Sequence, residues 1–141
     1  MTYKVTFEQK AGYLHAVATG KNSKENVKGY LADILHECMT RDCFHVLIEE
    51  RLEGPRLNMT DVYEIASQGP SRAAGRRPVI AYVDVNATNT SKMKFAEDVA
   101  VNRGNIIRVF SSVADAGRWL VDYDNKGTQP NAATDANKSS G

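Results

Sequence analysis

Paired cysteine knuckles, glycine-rich phosphate loops, long apolar runs and a surplus of either charge are all missing from this sequence. Each absence removes a class of function. Two cysteines fall short of the Cys-rich ligand sets of structural zinc sites, and in a reducing compartment they read as free thiols rather than a disulfide. Neither G-x-G-x-x-G nor the Walker pattern occurs, so nucleotide binding lacks its usual phosphate cradle. Eighteen basic residues against seventeen acidic ones leave a formal charge of +1. That balance supplies no field for nucleic acid or an anionic membrane. No apolar run approaches the ~18 residues a bilayer-spanning helix needs. The opening MTYKVTFEQK lacks the apolar core of a secretory signal, so no transmembrane segment and a cytoplasmic location are expected. No nucleophile elbow or His-Glu-x-x-His motif is present, and three scattered histidines do not make a catalytic set. Enzymatic activity is disfavoured, and no cofactor is expected.

What the sequence does hold is regular alternation. Its 141 residues suit a single domain. Lys4 to Phe7 and Leu14 to Thr19 read as antiparallel strands around Lys10-Ala11-Gly12. Asn22 or Ser23 offers an N-cap, with Glu25 in capping-box position after Asn22. Val27, Tyr30, Leu31, Ile34, Leu35 and Cys38 then form one helical stripe. "FHVLIEE", Phe44 to Glu50, reads as a buried strand. After Gly54-Pro55 comes a helix with Val62, Ile65, Ala66 and Gly69 on one face. Pro78 opens "VIAYVDV", Val79 to Val85. Thr90 or Ser91 caps a helix facing inward through Met93, Ala96, Val99 and Ala100, and Gly104 closes it in the left-handed region. The strand "IIRVF" and a helix through Val113, Ala116, Gly117 and Leu120 follow. Gly117 costs about 1 kcal/mol in mid-helix, which a close helix–sheet contact would explain. The predicted fold class is α/β, a mainly parallel five-stranded sheet with four helices and one antiparallel edge strand. His15, Thr19 and Arg108 break the apolar pattern of their strands, so one sheet face is expected to stay partly open. Residues 124–141 contain no large apolar side chain and read as a flexible polar tail after a domain at 1–123.

The stretch "HECMTRDCFH", His36 to His45, has the look of a metal site. Within a helix, however, His36 and Cys38 stand about 200° apart, so they do not converge on one ion. No metal site is assigned. The polar run "EERLEGPRLNMTD", Glu49 to Asp61, follows a parallel strand, where open α/β sheets place their ligands. It nominates Glu50, Arg51, Glu53, Asn58 and Thr60, although capping also explains Asn58 or Thr60. "DVNATNTSKM" adds Asp84 and Asn86, with Asn89 and Ser91 nearby. The N-x-[ST] matches at Asn58, Asn86 and Asn89 read as loop and capping chemistry. Arg72, Arg76 and Arg77 form a small basic patch in a turn at the opposite edge.

From Tyr3 to Val121 the chain resembles the small bacterial SpoIIAA-like proteins, related to STAS and CRAL-TRIO domains. The resemblance rests on "GYLHAVATGKNSKENVKGYLADIL", on "VLIEERLEGP" leading into a helix, and on "FAEDVAVNRGNIIRVFSSVADAGRWL". It implies a right-handed βα superhelix with helices on one side of the sheet. It also implies a switch that binds a protein partner and is controlled by phosphorylation at the start of a helix. The Asp-Ser pair of those relatives is replaced by Asn58-Met59-Thr60-Asp61, which leaves Thr60 as the nearest hydroxyl. The CRAL-TRIO link implies an alternative, a carrier of a small apolar or lipid-like ligand, for which Tyr63, Tyr82 and Phe95 are the aromatic candidates. A third reading, an enzyme, rests on Glu50 and Asp84. A regulatory or interaction module without enzymatic activity is the preferred expectation, with a homodimer possible through the uncovered face.

Overall fold

The computed structural model describes residues 3–55, 57–68, 78–85 and 90–127. Among the described residues nine elements follow in order: β1 (Tyr3–Lys10), β2 (Tyr13–Lys21), α1 (Lys24–Arg41), β3 (His45–Glu53), α2 (Met59–Gln68), β4 (Val79–Asp84), α3 (Thr90–Asn102), β5 (Ile106–Phe110) and α4 (Val113–Gly127). The five strands lie side by side in chain order. β1 and β2 pair antiparallel, and every later pair is parallel. The α/β class, the single antiparallel edge strand and the four helices therefore stand as expected.

The first hairpin closes through two residues, Ala11 and Gly12, with Gly12 at φ 93°, a conformation open to glycine at little cost. β2 alternates: Leu14, Ala16 and Ala18 are fully buried while His15, Val17 and Thr19 are half-buried. This period of two separates the faces of the sheet. The N-cap of α1 is Ser23, whose Oγ accepts the Asn26 N–H at 3.1 Å. Asn26, not Glu25, is then the third helical residue, and its Nδ2 reaches back to the Lys21 carbonyl at 2.8 Å. α1 ends on Asp42 in the left-handed region, φ 52°, with the Cys43 N–H returning to the Cys38 carbonyl at 3.0 Å, a Schellman-type close.

Tyr30, Ile34 and Cys38 of α1 pack with Leu14, Ala16, Val46, Ile48 and Ile80 on one sheet face, joined by Ile65 of α2. Ala116 and Leu120 of α4 pack with Leu47, Val79, Ala81 and Val83 on the other. The helices thus do not gather on one side, because the stripe of α4 has its own apolar patch to cover. α4 lies over β3, β4 and β5 and reaches only the margin of β2. Beyond it Lys4, Thr6 and Glu8 of β1 remain exposed, so this face is partly open. Gly117 is the close contact expected of it: a methyl there would stand 2.8 Å from the Tyr13 hydroxyl.

Two boundaries differ from expectation. β3 runs to Glu53 rather than stopping at Glu50, because Leu52 is fully buried and the ladder with β2 continues to Lys21 opposite Glu53. α4 runs to Gly127, past the predicted limit at 123. Extending a formed helix gains a backbone hydrogen bond per residue without needing apolar side chains. The rest of the predicted tail, 128–141, lies outside the described residues, as do Gly69 and the basic patch of Arg72, Arg76 and Arg77.

Candidate functional site

β3 is the middle strand of five, with β2 and β4 paired along its two edges. Two adjacent carboxylates on such a strand must point to opposite faces. Glu49 and Glu50 do so, and both are buried.

Glu50 points into the α1 side of the sheet. Tyr30 of α1 and Tyr82 of β4 both donate their hydroxyls to its Oε1. Burial, followed by the neighbouring Glu50 charge, pushes both tyrosine hydroxyls well above their ordinary value. They stay protonated and remain donors. The Glu50 carbonyl accepts the Val85 N–H at 3.0 Å, which fixes the end of β4. Asp84 stands opposite Glu50 in the ladder, half-buried.

Glu49 points to the α4 side. Its Oε1 lies 2.9 Å from His15 Nε2, and Arg51 donates through Nε to its Oε2. Burial pushes the Glu49 carboxyl upward, but the hydrogen bonds from Arg51 and His15 together outweigh it and hold the group below its ordinary range. Glu49, His15 and Arg51 form a clamp at the border of the open face.

The nominated residues separate into two sets. Glu50 is internal, and Arg51 and Glu53 extend the strand that was expected to end at Glu50. Arg51, Glu53, Asn58 and Thr60 remain exposed at the carboxyl end of β3 and the start of α2. Asn58 caps α2, its Oδ1 accepting the Asp61 N–H at 2.8 Å and its carbonyl the Val62 N–H at 3.0 Å. Thr60 sits in the first turn of that helix. Asn86 and Asn89 lie outside the described residues. Two large apolar side chains surface in the same region, Met59 at 45% and Val85 at 40% exposed. Tyr63, one turn after Met59, leans on Phe95 and accepts from Arg103 Nη2 at 2.7 Å.

That Tyr30 and Tyr82 meet Glu50, and that His15 meets Glu49, is not legible in the local sequence pattern. A buried tyrosine needs a hydrogen-bond acceptor, and that requirement was the available signal for Tyr30.

The His36–His45 stretch disperses as its helical spacing implied. His36 is exposed and Cys38 fully buried, its thiol pushed up to about 12, first by burial. Cys43 is half-buried, and His45 packs edge-on against Tyr123. Among the described residues no three potential metal ligands come together, and no helix is long and apolar enough to cross a membrane. An apolar recess bordered by Leu31, Leu35, Pro78 and Ile80 holds about 10 Å³, room for roughly one water molecule.

No protein-family model and no curated protein matches the chain.

Proposed function

We propose that the chain is a non-enzymatic interaction module of STAS-like type. It binds a protein partner through the carboxyl end of β3 and the adjoining start of α2. One observation carries this reading: the acid best placed for chemistry at that end, Glu50, is turned inward and held by two tyrosines, whereas the residues left at the surface suit a protein contact. Arg51, Glu53, Asn58, Met59 and Thr60 combine charges, an amide and an exposed methionine. Arginine and methionine are enriched at protein interfaces, and methionine adapts its shape to a partner. The resemblance to SpoIIAA-like and STAS proteins supports the same reading. Thr60 supplies a point of control, since a phosphate in the first turn of α2 would be favoured by the helix N-terminus.

The test is affinity capture from bacterial cytoplasmic extract with the full chain as bait. A partner should be retained by the wild type, lost with Arg51→Glu combined with Met59→Asp, and changed in amount by Thr60→Asp. Thermal unfolding establishes that the variants are folded. Equal retention of the same proteins by folded wild-type and surface-variant baits would count against the assignment.

A further inference from the structure

The two edges of the sheet are finished differently. At β5 the helix α3 packs alongside, and Glu97 Oε1 accepts the outward Val109 N–H at 2.8 Å. β1, the opposite edge, is an eight-residue strand paired residue for residue with β2 on its inner side. It carries no proline and no bulge, two of the devices that keep an edge from pairing with another chain.

Its side chains alternate. Tyr3, Val5 and Phe7 face the α1 core yet stay half-buried, while Lys4, Thr6 and Glu8 are exposed on the open face. Laid antiparallel against a second copy about a two-fold axis at Thr6, this strand complements itself. Lys4 of each copy then stands opposite Glu8 of the other, and Val5 opposite Phe7. Other registers lose that match. An axis at Phe7 opposes Lys4 to Lys10, and one at Glu8 opposes Glu8 to itself. An axis between residues would set apolar side chains against polar ones, because the faces alternate with period two.

We infer that two copies of this chain join edge to edge through β1, antiparallel about Thr6, into one continuous ten-stranded sheet. The inference concerns a different surface from the one assigned to the protein partner, and it stands or falls separately. Opposite charges directly across a strand pair stabilise it, and like charges destabilise it. Two symmetry-related Lys4–Glu8 pairs make each effect count twice. The Glu8–Lys10 contact within one chain, 3.1 Å, competes with them and limits their strength.

Sedimentation velocity on the full chain tests this directly. The wild type should sediment as a dimer. Lys4→Glu and Glu8→Lys should each weaken association by about 10-fold or more, since each sets like charges together at both pairs. An equimolar mixture of the two variants should restore the dimer, because every facing pair is then opposite in sign. Thr6→Lys, which sets two lysines together on the axis, is a further disruptor should either reversal harm the fold. A wild type that is monomeric at every accessible concentration overturns the inference. So does a dimer indifferent to all three substitutions, or folded variants that stay monomeric when mixed.

Discussion

Replacing Tyr30 by phenylalanine removes one hydroxyl and leaves the ring in its place, so the perturbation falls on the Glu50 carboxylate and on the Tyr82 hydroxyl beside it. Tyr30 is fully buried, and the vacated space is that of a single oxygen, so water does not readily replace the lost donor. A hydrogen bond to a charged group contributes about 1.5–3 kcal/mol. Glu50 Oε1 still has Tyr82, so a loss of about 2 kcal/mol is expected. For a domain of this size that lowers the melting temperature by roughly 6–8 °C. Tyr82→Phe should cost a similar amount. The double variant should fall below the sum of the two, because the second loss strips a buried oxygen of both tyrosine donors. A coupling of about 1 kcal/mol is a reasonable size for groups sharing one acceptor. Urea unfolding followed by circular dichroism measures all three. Changes under about 0.5 kcal/mol for both single variants, the range of ordinary surface substitutions, would refute the description of Glu50 as an internal tie between α1, β3 and β4.

Glu49 makes stability depend on acid. Its carboxyl lies below the ordinary value of 4.5, so the stabilisation it provides is complete above that pH and is lost as the pH falls through the lowered value. Arg51→Gln should shrink this acid-side loss, as read from melting temperature against pH. Gly117→Ala gains about 1 kcal/mol of helix propensity but brings a methyl to 2.8 Å from the Tyr13 hydroxyl. A net loss of stability is expected, and adding Tyr13→Phe should recover part of it. Labelling of the native protein with a thiol reagent at neutral pH should modify Cys43 ahead of Cys38, whose burial both blocks access and disfavours the thiolate; mass spectrometry of the peptides decides the order.

Where a segment repeats one local pattern, its structure could be read directly. Ile106–Phe110 is the strand its residues imply, and the stripe from Val27 to Cys38 lies along α1 against the sheet. Gly104 at φ 87° ends α3 as expected. Harder positions were those where two residues share a chemistry: Asn22 and Ser23 are both competent caps, and only the backbone hydrogen bonds select Ser23. The partners of Glu49 and Glu50 were hidden for a related reason. Glu49 and Glu50 open a polar run, and their burial depends on distant residues: Tyr82 follows Glu50 by 32 positions and His15 precedes Glu49 by 34. Leu52, isolated among charges, was the local sign that the strand continued. The placement of α4 on the second face was latent in Leu47, Val79, Ala81 and Val83, an apolar row that needed a cover of its own.

The most direct test of the assigned role is quantitative mass spectrometry of proteins captured by three full-length baits: wild type, Glu50→Gln, and Arg51→Glu with Met59→Asp. One protein should be retained by wild type and by folded Glu50→Gln, and should disappear with the surface variant. If the same proteins are captured by the surface variant, or if a folded Glu50→Gln alone abolishes capture, the partner does not bind where this geometry places it.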